Sequence, residues 1–234
     1  MAETISIPRR FNGPLDSGQG GYSAGLAAGL LDGAAEVSLR RPVPLDRQLD
    51  VLRENDDAVQ VVDGDDLVLE AHAHELEVEV PSPVTTDEAL RASAGYRGTA
   101  NGVFSRCFVC GLGRDDAFGV FAGAVEGREL VASPWNPPSW TADAGGNVRQ
   151  EFAWAVLDCP TYFAVYLGQK LPMSVLARLT ARIDAPVRAG EEHVVIAWPI
   201  EVDGRKRHAG AAVLSAAGEP LAVARALMIE PRES

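Results

Sequence analysis

The chain has 234 residues, 47% of them hydrophobic and 23% charged, with a formal net charge of −12. That length holds one large domain or two small ones, and the composition is that of a folded globular protein. The acidic balance excludes a general nucleic-acid binder and a polybasic membrane-surface protein, but not an anionic ligand held by a few local arginines.

The N-terminus lacks a basic and apolar leader, and no apolar run is long enough to cross a bilayer. No membrane insertion and a cytoplasmic location are therefore expected. The cysteines number three, which does not suit a disulfide framework.

Ile5 and Ile7 predict a first strand within residues 1–10. Phe11 to Gln19 is rich in Gly, Pro and Asp and reads as a loop. Gly18 to Gly33 predicts a helix with Tyr22, Leu26, Gly29 and Leu30 on one face. Its small residues, among them Gly25 and Ala28, suit close packing, here expected against a sheet. Gly33 is the expected stop. Strands follow around Val37–Leu39, Leu49–Val51 and Val59–Val62, the last running into the hairpin signal Asp63-Gly64. Leu67 to Val80 alternates throughout but changes parity near His74, which predicts a β-bulge there.

Pro81 to Ala100 reads as a connector with a short helix capped by Thr86 or Asp87. Residues 101–116 are irregular. Phe118–Phe121 and Leu130–Ala132 predict short strands joined by a turn at Glu126-Gly127. Trp135 and Trp140, in the Pro-rich loop that follows, read as cover for a pocket or as loop anchors. Val148 to Gly168 then predicts the main helix, apolar all round. Its one central carboxylate, Asp158, must be paired, protonated or functional. Pro160 allows a second reading, in which the helix breaks at Leu157 and Asp158 caps a new one. Val175–Ile183, Val194–Val202, Ala209–Ser215 and Leu221–Ile229 predict the last strands, with hairpin signals at Asp203-Gly204 and Ala217-Gly218.

The same order thus occurs twice: a β lead-in, one buried helix, then strands in hairpins. This predicts an α+β fold rather than an alternating α/β one. The expected division is residues 1–82, a connector 83–105, and residues 106–234.

Two buried helices, each followed by antiparallel strands, resemble the hotdog layout. The Gln19 stretch QGGYSAGLAAGLL resembles the His-Gly-Gly helix start of hotdog acyl-CoA thioesterases, with Gln in place of His. RQEFAWAVLD, Arg149 to Asp158, resembles the same helix in the phenylacetate-pathway type, where an acid lies about nine residues beyond the His. Cys107-Phe108-Val109-Cys110-Gly111 resembles a lead-in of such proteins. The resemblance covers nearly the whole chain. It implies a double hotdog, with two antiparallel sheets, each wrapping a central helix, merged into one pseudo-dimeric sheet.

The halves depart from the pattern in complementary ways. The first helix keeps Gly20 and Gly21 but has Ala28 where the acid would stand. The second keeps Asp158 but has Arg149-Gln150-Glu151 at its start. The resemblance therefore implies one composite site that hydrolyses an acyl-CoA or related thioester. In it Asp158 acts as general base or nucleophile, and the N–H of Gly21 or Tyr22 is the oxyanion donor. Gln19, Gly20 and Arg149 would contact substrate, as would Thr180, a counterpart of the Thr used by the thioesterase II type. That type also uses a Gln, where this chain has Ala226 and Leu227. Arg205, Lys206 and Arg207 are the densest basic run and would meet the CoA phosphates, though a solvated hairpin tip is the plainer reading.

No metal and no cofactor are expected. Cys107-x-x-Cys110 lacks the second pair a structural zinc site commonly has, so it reads as two buried thiols, and Cys159 as a core residue. His72 and His74 read as a solvated strand face. The rivals are a hotdog protein that binds an acyl or aromatic ligand without turnover and, further off, a hydratase, which would need a histidine near Gly20 or Asp158. A homodimer through sheet edges is also expected.

Overall fold

The computed structural model describes residues 3–98 and 102–231. Residues 1–2 of the first predicted strand, residues 99–101 around the end of the connector, and residues 232–234 lie outside the described residues.

In the first half β1 (Thr4–Ser6) precedes helix α1 (Gly20–Ala28). Strands β2 (Ala35–Leu39), β3 (Gln48–Asn55), β4 (Ala58–Asp63) and β5 (Asp66–Ala73) follow, and then helix α2 (Thr86–Ala94). The second half opens with β6 (Gly123–Ala124) and β7 (Val131–Trp135) and continues with helix α3 (Gln150–Val165). It closes with β8 (Val175–Ile183), β9 (His193–Asp203), β10 (Lys206–Ser215) and β11 (Pro220–Ile229). Among the described residues all strands join one 11-stranded antiparallel sheet, ordered β1-β3-β4-β5-β2-β8-β11-β10-β9-β7-β6. The halves meet at the β2–β8 pair, where Ala35 opposes Ala181 and Val37 opposes Leu179.

The sheet curls around α1 and α3, which lie against each other rather than each against strands alone. Glycines make this possible. A Cβ on Gly21 would stand 2.5 Å from the Trp154 carbonyl oxygen, and one on Gly25 would stand 2.6 Å from Glu151 Cα. The small residues of α1 therefore serve a helix–helix contact, not the helix–sheet contact predicted. α1 ends at Ala28 with Gly29 as its cap, short of Gly33.

α3 is continuous through Pro160. The break allowed by the second reading does not occur, because burial on nearly every side holds the helix together across the missing N–H. Asp158 is thus not the cap of its own helix.

The predicted bulge at His74 is absent. Strand β5 ends at Ala73, and the chain leaves the sheet to cross its outer face. There Leu76 and Val84, with Ala89 and Ala92 of α2, cover Ile196, Trp198 and Leu214 in a second core. The alternation after His74 is real, but it packs over strands instead of pairing with one. α2 is capped by Thr85, not Thr86 or Asp87, through a capping box with Glu88. The short strand expected at Phe118–Phe121 lies instead at Gly123–Ala124.

Candidate active site

Helix α1 starts at the helix–helix seam, beside the middle of α3. Gln19, its N-cap, is 2% exposed and uses both ends of its amide. Its Oε1 accepts the Tyr22 N–H at 2.6 Å, and its Nε2 donates to Asp158 Oδ2 at 2.6 Å and to the Ala155 carbonyl at 3.2 Å. The Gly21 N–H donates to the same Asp158 oxygen at 2.8 Å. The carboxylate of one half therefore sits at the positive end of the other half's helix, where an anion is favoured. Burial pushes the Asp158 carboxyl up to about 7, opposed by the Gly21 hydrogen bond. Oδ1 accepts no hydrogen bond from the described residues.

Gln19, Gly20 and Asp158 lie in the wall of a cavity of about 570 Å³ that opens to solvent. The remaining wall is mainly apolar, with Leu39, Val43, Phe104, Phe163, Leu176 and Met228. Arg40 and Arg41 stand in the wall after β2, paired with Glu70 and Asp66. Cys107, Cys110 and Cys159 also line it.

The other expected site residues fall in different places. The amides of Gly21 and Tyr22 already have partners, so neither is a free oxyanion donor. Among the described residues the Gly20 N–H is the one amide of this helix start without a partner. The Tyr22 ring stacks on Phe11, 4.5 Å between centroids, away from the cavity wall. Arg149 caps the start of α3 at the far end of the helix pair, over the Phe152 ring at 4.8 Å and 3.3 Å from Glu151. Leu179 and Ala181 point to the helices, so Thr180 between them points to the opposite face, where it donates to Glu36 at 3.2 Å.

The basic run is equally displaced. Arg205 hydrogen-bonds the Glu230 carbonyl at 3.0 Å, and Lys206 is exposed at the start of β10. Arg207 is only 1% exposed and works from within. It donates to Tyr166 Oη at 3.1 Å and the Pro172 carbonyl at 2.7 Å, and meets Glu230 at 3.1 Å. Tyr166 in turn lies 3.1 Å from Ser174 Oγ, at the cavity edge. Arg207 thus braces the cavity rim without lining it. Neither Trp135 nor Trp140 reaches the cavity. Trp140 stacks with Phe11 and carries the Arg10 guanidinium at 4.6 Å.

Two groups of arginines were missed. Arg40-Arg41 has a sequence signal, an adjacent basic pair between a strand and a proline. The second group, Arg9, Arg10, Arg106 and Arg114, gathers around a recess of about 310 Å³. Those residues come from two separated loops, and no local pattern joins them.

No family model and no curated protein matches the chain. Solved structures do. The acyl-CoA thioesterase II TesB2 of Mycobacterium marinum is 10% identical with a TM-score of 0.60, over 99% of this chain and 93% of that one. A conserved protein with the hot dog fold from Alicyclobacillus acidocaldarius is 12% identical with a TM-score of 0.59, over 99% and 93%. The tesB protein of Mycobacterium avium subs paratuberculosis is 14% identical with a TM-score of 0.55, over 90% and 85%. At these identities the likeness defines the fold. The chain is a double-hotdog protein, as the resemblance implied.

Proposed function

We propose that the chain hydrolyses an acyl thioester, an acyl-CoA or a related one, at a single composite site between its halves. One observation carries this reading: Asp158 of α3 is held by Gln19 and Gly21 of the first half in the wall of an apolar cavity large enough for an acyl group. The thioesterase names among the solved structures of this fold support the substrate class.

The proposed chemistry uses the two oxygens of Asp158 differently. Oδ2 is fixed by two N–H donors. Oδ1 takes a proton from a water that attacks the thioester carbonyl carbon. The Gly20 N–H, at the start of α1, donates to the oxygen that becomes negative, in place of the Gly21 or Tyr22 amide. The carbon–sulfur bond then breaks, giving a carboxylate and a thiol. Arg40 and Arg41 at the mouth are the cations placed for the phosphates of a CoA arm. The opposite end of the helix pair has Ala28 in place of an acid, hence one site per chain. Free thiols suit a cytoplasmic setting, and no helix among the described residues is long and apolar enough to cross a membrane.

A second reading, an acyl- or aromatic-ligand binder without turnover, is favoured by one observation. Two of the three amides at the helix start are already engaged by Asp158 and Gln19. Thioester hydrolysis by the wild type and Asp158→Asn, on a panel of acyl-CoAs, separates the two. Asparagine can still accept the Gly21 bond but cannot serve as base. The hydrolase reading expects a fall of about a hundredfold or more in kcat. Equal rates in both proteins would remove Asp158 from the chemistry, and no wild-type turnover on any thioester would leave the binder.

A further inference from the structure

The three cysteines of the chain converge. Cys107 and Cys110 lie in the irregular segment before β6, and Cys159 comes from α3, 52 residues after Cys107. All are free and buried. Their sulfurs all lie within 4.8 Å of one another, and those of Cys107 and Cys159 are 3.7 Å apart. A disulfide would need about 2.05 Å, so these are separate thiols. Around a zinc ion with Zn–S bonds of about 2.3 Å, tetrahedral sulfurs stand about 3.8 Å apart. The observed spacing is close to that of a ligand set.

The surrounding backbone fits thiolates. The Gly111 N–H donates to the Cys107 carbonyl at 2.8 Å and closes a tight turn. A Cβ on Gly111 would stand 2.5 Å from that oxygen, so this turn needs glycine. The turn brings the Val109 and Cys110 amides to the Cys107 sulfur. On the other side Gln19 Nε2 lies 3.5 Å from Cys159 Sγ. Tyr96 Oη fixes the Cys110 carbonyl at 2.7 Å. N–H donors around a sulfur favour its ionised form.

We propose that Cys107, Cys110 and Cys159 form a three-thiolate site for Zn²⁺, with the fourth coordination position turned to the cavity that all three residues line. Binding displaces three thiol protons to solvent, and a water from the cavity completes the tetrahedron, as in open zinc sites. The ion ties the 107–111 turn to α3 and forms part of the cavity floor. The site stands independently of the hydrolase reading, since its evidence is the sulfur geometry and its test needs no turnover.

The test uses the full chain, reduced and kept anaerobic. Co²⁺ is titrated in, followed by Zn²⁺. The expected result is one Co²⁺ per chain, with a near-ultraviolet sulfur-to-cobalt charge-transfer band and intense visible bands of tetrahedral cobalt, all abolished by Zn²⁺. Cys110→Ser and Cys159→Ser should each weaken binding by at least about a hundredfold, beyond what supporting residues typically contribute. Should either variant fail to fold, thiol reactivity of the wild type decides. Zn²⁺ should shield all three cysteines from a thiol reagent, with a stoichiometry of one. Absence of the charge-transfer band, binding that survives Cys159→Ser, or thiols equally reactive with and without Zn²⁺ would each overturn the proposal and leave three core cysteines.

Discussion

Gly21 has no space for a side chain, and the obstacle is backbone. A Cβ there would stand 2.5 Å from the Trp154 carbonyl and 2.6 Å from Asp158 Cβ. Main chain in a buried helix cannot swing aside, so Gly21→Ala must push α1 from α3 and lengthen the Gly21–Asp158 bond. A loss of about 1–3 kcal/mol is expected, read as a lower urea midpoint at unchanged m. An unchanged midpoint would mean the helices are not in contact there. His193 offers a pH test at the same scale. It is buried, with Nδ1 3.0 Å from the Glu191 carbonyl, and burial lowers its pKa from 6.5. The unfolded chain then binds a proton that the folded chain rejects, so this contribution is complete above pH 6.5 and fades as pH falls below it. Stability should drop more steeply below pH 6.5 in the wild type than in His193→Asn, and parallel curves would contradict it. Asp158, Gln19 and Gly20 lie together in one cavity wall, and each stood out in the sequence because a lone acid in an apolar helix and a Gly-Gly helix start are local patterns. The meeting of Cys159 with Cys107 did not, since it depends on how α3 lies over a distant turn. Thr180 and Arg207 show the converse. Their residue types suited the chemistry, but strand parity turned one outward and burial beneath the rim took the other.

Most elements were legible from periodicity and turn residues, and the errors share a physical origin. Both Asp-Gly hairpin signals mark real turns displaced by one residue. Gly64 and Gly204 take the first loop position with φ of +62° and +54°, before Asp65 and Arg205. A glycine there fits a II′ turn, whereas Asp-Gly suggested I′. The outer layer is the larger error. Nothing in the alternation of Leu76, Val78 and Val80 distinguishes a paired strand from an extended segment lying over one, because both bury every second side chain. The outer layer also depends on one glycine. A Cβ on Gly123 would stand 1.9 Å from the Ala92 carbonyl oxygen of α2. Gly123→Ala should therefore lift α2 from β6 and β7. Hydrogen exchange should show lost protection across residues 86–94 with α3 still protected, and unchanged protection of α2 would refute the contact.

At the scale of the molecule, the doubled element order predicts two similar halves but does not say whether they fold as one. Three features join them. The sheet continues through four residue pairs of β2 and β8, from Ala35–Ala181 to Ser38–Arg178. On its outer face Arg178 bridges to Glu36 at 3.2 Å across the same seam. On its inner face α1 and α3 bury their touching sides together, and one apolar core runs from Ile7 to Met228. Removing either half would expose a long open sheet edge and one bare helix side, so a partly folded state holding a single half should be scarcely populated. The tryptophans make this measurable. Trp135, Trp140, Trp154 and Trp198 all lie in the second half, but Trp140 stacks on Phe11 and Trp154 packs against Gly25 of α1, so their fluorescence reports the second half and its seam with the first, whereas far-ultraviolet circular dichroism reports the secondary structure of both. In urea the two signals should follow one transition with a common midpoint and m. Two transitions with separate midpoints would mean that one half opens while the other stays folded. The hydrogen bonds from Gln19 and Gly21 to Asp158 would then be lost before the remaining half unfolds, because they join one half to the other.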